Sequence, residues 1–240
     1  MNQSQYFEFE DKDSDFPYYK NDKFLSGKTG IILLFSVLLF IILILGPVKF
    51  QGYQEGLILF LAMSIPFVIA SGGKIGTLFK KPTLNNLKLV VWCVLGNLLF
   101  LFVLVVINTI INTVVPVNMV NSAQNFGDYS SIGLLNCIID GFQIIAEELV
   151  RINVFLIVLY LIYKFTNNRK NSVIIAAIVS LLVFGLLHVN TYTNIIYCIL
   201  VMGFGSFFTL YPYLKTRNAL LSVLVHMIYN LLVLIVHLLL

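Results

Sequence analysis

An all-α polytopic membrane protein, a bundle of about seven transmembrane helices around an intramembrane polar site, is the fold class this 240-residue sequence predicts. Three observations predict it. The chain is 59% hydrophobic and 11% charged, with a mean hydropathy of +0.95, outside the range of soluble domains. Seven apolar segments approach or meet the roughly 20 residues that a helix needs to cross a hydrocarbon core of about 30 Å. They lie near 29–47, 56–72, 88–115, 132–163, 172–189, 192–213 and 219–240. The basic residues, finally, gather on alternate loops, as the positive-inside bias requires.

Residues 1–28 form a hydrophilic segment, with Glu8, Glu10, Asp11, Asp13, Asp15 and Asp22 against Lys12, Lys20, Lys23 and Lys28. It lacks the layout of a cleavable signal peptide and is expected to be a disordered cytoplasmic tail, with the membrane domain occupying 29–240. Lys74, Lys80, Lys81 and Lys88 follow the second span, Lys164, Arg169 and Lys170 the fourth, and Lys215 and Arg217 the sixth. With the four tail lysines these make 13 of the 15 basic residues, which places the N-terminus inside and Leu240 outside. The net charge of +4 follows from this bias, and no basic patch interleaved with aromatics points to nucleic acid.

Pro66, Pro116 and Pro212 mark span ends or kinks, and Pro116 to Ser131 is the longest outside connection. The fourth span is too long for a straight crossing, since 32 residues of helix measure about 48 Å. It is expected to tilt, to start outside the core, or to break at Gly133 or Gly141. Cys93, Cys137 and Cys198 fall inside spans without metal or redox spacing and read as packing residues.

The fourth span also carries Asp140, Glu147, Glu148 and Arg151 in otherwise apolar surroundings. A charge at bilayer depth costs about 2.5 to 3.5 kcal/mol on insertion scales, so four of them mark a functional site. Helical spacing puts Asp140, Glu147 and Arg151 on one face and predicts a Glu147–Arg151 pair, with Glu148 about 100° away. One carboxylate is then neutralised and the other left free to take a proton. His188 and His226 lie in later spans, and Asn230 follows His226 by one turn. Imidazole and carboxylate ligate zinc and related divalent metals, so His188 and His226 are candidate ligands, with Glu147 or Glu148 as base on a bound water. His237, near the outer end, reads as interfacial.

Depth is the obstacle to this grouping. Counted from the basic end, His188 lies some 16 residues into its span and His226 about seven, a gap of roughly 13 Å. A tilt, a kink or a deeper helix start must close it.

Three runs resemble the CPBP intramembrane proteases, the Abi group that includes CAAX-prenyl proteases and bacteriocin-processing or self-immunity proteins. They are Glu147-Glu148-Leu-Val-Arg151, Phe184-Gly-Leu-Leu-His188 and His226-Met-Ile-Tyr-Asn230, in the family's order on separate spans. The resemblance implies a glutamate- and histidine-dependent, metal-assisted endopeptidase acting on peptide or membrane-protein substrates in the bilayer. In bacteria that would be peptide maturation, signal-peptide processing or self-immunity. Glu147 resembles the water-activating glutamate and Glu148 its supporting neighbour. His188, His226 and Asn230 resemble the groups that position water, hold metal or stabilise the oxyanion, and Phe184 resembles a packing residue.

The first run departs from the family's pattern, with two residues rather than three between the glutamates and Arg151. A helical bulge is expected to absorb the difference. If Arg151 instead fixes the register, Glu147 takes the second position and Ala146 the first. The alternative function is then an inactive membrane scaffold that regulates a partner such as a sensor kinase. A proton-coupled transporter is a third reading, disfavoured by the lack of an internal repeat.

Overall fold

Each of the seven expected spans coincides with helix in the computed structural model, which describes residues 5–47, 50, 53–114, 134–192 and 194–239. The helices are α1 (Lys28–Leu45), α2 (Tyr53–Ala70), α3 (Leu84–Val114), α4 (Leu134–Thr166), α5 (Arg169–Leu186), α6 (Val189–Tyr192), α7 (Ile195–Tyr197), α8 (Phe207–Thr216) and α9 (Ala219–Leu239). Five stretches are long and apolar enough to cross a membrane: 28–45, 84–107, 169–186, 195–216 and 219–236. The chain is a multi-pass membrane protein. Pro116, Gly133 and the loop around them lie outside the described residues, as do the side chains of Cys137 and His237.

Buried side chains recur at helical spacing, Leu33, Val37 and Phe40 on α1 and Leu59, Met63 and Phe67 on α2. The other face of α1 shows Ile31, Phe35, Leu38 and Ile42, and α3 shows Trp92, Leu95, Leu99 and Phe102. Such continuous apolar surface is costly in water and neutral against lipid tails, as a membrane bundle requires. Helix α4 is central, packing on α1, α2, α5 and α9. Residues 148–157 are buried on every side, so the charges they include must find partners inside the protein. Helices α3 and α8 pack on α9 around a smaller cluster of Val90, Cys93, Val94, Leu221 and Val225.

Two local expectations are corrected. Helix α4 runs unbroken through Gly141 and contains no bulge at the glutamates. The sixth span is the broken one. After α6, Asn194 caps α7 by accepting from the Ile196 and Tyr197 amides. A π-turn then covers Cys198–Gly203 and a 3-10 turn Phe204–Ser206 before α8 begins. The cause is close packing against α5. A Cβ on Gly185 would strike the Cys198 carbonyl and come within 2.9 Å of Gly203 Cα, so the two backbones meet only as glycine on glycine. Irregular backbone at this depth is tolerated because protein surrounds it.

The disordered-tail expectation is also corrected, since residues 5–27 pack onto one end of the bundle. Tyr6, Phe16, Tyr19 and Phe24 are buried. Glu10 pairs with Arg169 at 2.6 Å and with Arg217. Asp15 accepts from Arg169 Nε at 3.1 Å and from Lys20 at 2.8 Å. Lys215 donates to the Phe9 carbonyl at 3.0 Å, Lys80 to Ser14 at 3.2 Å, and Tyr160 to the Asp22 carbonyl at 2.9 Å. The segment therefore meets the basic loops that follow α2, α4 and α8 at a single end. Composition suggested disorder because it counts charges without seeing that the arginines opposite them are buried.

The start of α9 is buried under the same segment. The turn between α8 and α9 holds Arg217 in the left-handed region at φ +58°. Arg217, Asn218 and Ala219 are all buried. Asn218 is bonded both ways to the Lys80 backbone, accepting at 3.0 Å and donating at 2.9 Å. Helices α5 and α9 both start beneath the N-terminal segment, Arg169 and Arg217 meeting the same Glu10, and the depth gap is closed in that the Phe184 ring lies within 6.3 Å of both histidine rings.

Candidate active site

Rotation of α4 decides which glutamate meets which partner. Arg151 is fully buried and pairs with Glu148, three residues earlier, in place of the expected Glu147. Its other terminal nitrogen donates to the Ser206 carbonyl at 3.2 Å, at the end of the irregular turn. Its guanidinium lies 4.7 Å from the centre of the Phe184 ring. Both terminal nitrogens of Arg151 thus have partners, as a buried charge requires, because an unpaired one costs several kcal/mol, while its Nε has none among the described residues. Ser180 on α5 donates to the Arg151 carbonyl at 2.8 Å and fixes the backbone at the same level.

Glu148 is held from a second side as well. Its Oε1 lies 2.8 Å from His226 Nδ1 on α9. An ionised carboxylate can only accept, so Nδ1 carries the hydrogen and Nε2 becomes the free nitrogen of the neutral ring. That Nε2 stands 3.9 Å from Oε2 of Glu147. The Glu148 side chain is 0% exposed and committed to two partners, whereas Glu147 is 15% exposed and has no arginine. Gln143, one turn earlier, donates to Oε1 of Glu147 at 3.0 Å. Division into one neutralised and one free carboxylate was expected; which is which is reversed.

The Phe184 ring joins the histidines, 4.9 Å from the His188 ring and 6.3 Å from that of His226. His188 is half-buried at the end of α5, with Nδ1 2.9 Å from the Phe184 carbonyl. A carbonyl also only accepts, so His188 likewise leaves Nε2 available. Asn230 is exposed one turn beyond His226, and Asp140 is exposed two turns before Glu147. The structure therefore brings Glu147, Glu148, Arg151, Phe184, His188 and His226 together and leaves Asp140 and Asn230 at the edge.

Among the described residues, no three His, Cys, Asp or Glu side chains form a group able to hold a metal ion. Glu148 and the Nδ1 atoms are already occupied, which leaves His226 Nε2, His188 Nε2 and Glu147 as uncommitted donors. A catalytic zinc requires three protein ligands converging at about 2 Å, and these are not gathered into such a cage.

Gln143, Ser180, Ser206 and the Gly185–Gly203 contact were not singled out from sequence. Gln143 had one available signal, its position one turn before Glu147 on an apolar helix. The others involve backbone atoms, the Arg151 and Ser206 carbonyls and the Gly185–Gly203 approach, that side-chain patterns do not reveal.

Comparison with family models matches residues 129–232 to a family described as type II CAAX prenyl endopeptidase Rce1-like. Comparison with curated proteins and with solved structures gives no match. The matched region contains all six of the assembled site residues and Asn230.

Proposed function

We propose that this chain, whose residues 129–232 match the Rce1-like CAAX prenyl endopeptidase model, is a membrane endopeptidase of that kind whose base is Glu147. The observation that carries this reading is the split between the two glutamates. Glu148 is spent on Arg151 and His226, while Glu147 faces His226 Nε2 across 3.9 Å with no cation of its own. A water about 2.8 Å from both atoms fits to one side of that gap. Glu147 takes its proton as the oxygen attacks the peptide carbon, and later returns that proton to the leaving nitrogen.

Glu148 and Arg151 hold His226 in the tautomer that presents Nε2, the job a buried carboxylate does for a catalytic histidine. His188, once protonated or reoriented, is assigned as the donor to the developing oxyanion. Enclosure by apolar helices strengthens each of these interactions.

The substrate we assign is a peptide or membrane-protein segment presented at the bilayer, with a prenylated CAAX peptide as the first to try. We place the N-terminal segment and the basic loops in the cytoplasm, following the positive-inside bias. The purified protein in lipid vesicles, given a farnesylated CAAX peptide and an unprenylated apolar peptide, is expected to cleave at least one. Glu147→Ala and His226→Ala are expected to abolish that cleavage. A cellular phenotype that survives both substitutions, in protein still folded in the membrane, supports the inactive scaffold instead.

A further inference from the structure

We propose that Gln143 is a positioning residue for this reaction, holding the Glu147 carboxylate in its working orientation; the inference rests on the endopeptidase reading above. Gln143 lies one turn before Glu147 on α4, and its Nε2 is 3.0 Å from Oε1 of Glu147. The carboxylate can only accept, so the amide NH2, not the amide oxygen, must face it. That bond occupies one carboxylate oxygen and leaves the other, Oε2, 3.9 Å from His226 Nε2. The two oxygens of Glu147 are thereby given different work, one held and one presented.

The chemistry favours an amide at this position. An arginine would pair permanently with Glu147, as Arg151 does with Glu148, and would weaken it as a base. A neutral amide restrains the side chain without cancelling its charge. An unheld glutamate has three freely rotating bonds and must lose that freedom before each attack. A misplacement of 1 Å at the reacting centre can cost a hundredfold in rate. Both side chains are half-buried, so water competes weakly for the bond.

Gln143→Met keeps the length and volume and removes the donor. In vesicles with the cleaved peptide, it is expected to lower kcat by about tenfold to a hundredfold and to leave KM within about twofold. Gln143→His, whose ring N–H reaches a similar position, is expected to recover part of that loss. Glu147→Gln is run beside them and is expected to be inactive. If Glu147→Gln is inactive while Gln143→Met keeps kcat within twofold of wild type, the positioning role is overturned and the protease reading stands. A raised KM at unchanged kcat also overturns it, because Gln143 would then be binding substrate. If Glu147→Gln still cleaves, both readings fall. Loss of fold in Gln143→Met with full activity in folded Gln143→Ala overturns it too.

Discussion

His226 Nδ1 donates to Glu148 Oε1 at 2.8 Å, joining α9 to α4 at a carboxylate that also pairs with Arg151. The contact turns a charge cluster on one helix into a site shared by several, and it fixes which histidine nitrogen is free.

Glu148→Gln is expected to weaken both the fold and the reaction. It leaves Arg151 without its anion at a fully buried position, and breaking such a pair costs about 3 to 5 kcal/mol. Thermal unfolding in detergent is expected to fall by several degrees, with activity reduced at temperatures where the protein remains folded.

Gly185→Ala is expected to destabilise through collision alone. The added Cβ meets the Cys198 carbonyl and Gly203 Cα, both backbone atoms that cannot rotate away. Overpacking of this kind costs about 1 to 3 kcal/mol. It also displaces the Phe184 ring beside it, so activity and melting temperature are expected to fall together.

The N-terminal segment is expected to undock in acid. Burial pushes Glu10 up, but hydrogen bonds from Arg169 and the Phe7 amide and the charge of Arg217 outweigh it and hold the carboxyl below its ordinary range. Burial likewise opposes Asp15, yet bonds from Lys20 and Tyr19 and the nearby Arg169 bring it down to about 2. Both native values are depressed, so the stabilisation is complete above the unfolded value near 4 and is lost as pH falls towards 2. For Asp15 alone it is on the order of 2 kcal/mol. Protease sensitivity of residues 5–27 is expected to rise across that window, and Glu10→Gln to produce the same release at neutral pH.

In the proposed mechanism Glu147 and His226 activate water between themselves, so chelation is expected to leave cleavage unchanged. Rates measured before and after EDTA treatment test this. A loss restored by zinc would return His188 and His226 to the role of ligands.

Much of this was legible in the sequence. Hydropathy placed the spans because backbone polar groups in lipid must be satisfied within helices. The cost of intramembrane charge singled out Glu147, Glu148 and Arg151. What spacing could not give was the rotation of α4. Glu148 can reach Arg151 at three residues as well as Glu147 can at four, and only the burial of Glu148 against α9 decides between them. The N-terminal segment was misread for a related reason. Its acids look solvated until Arg169 and Arg217, more than 150 residues away in sequence, are seen to be buried against them.

The central claim is that Glu147 is the base and Glu148 its scaffold. The kcat of Glu147→Gln, measured in vesicles on protein whose melting temperature matches wild type, tests it most directly. A fall of roughly a thousandfold is the predicted result, as expected for removal of a general base. Retention of a tenth or more of the wild-type rate would contradict it.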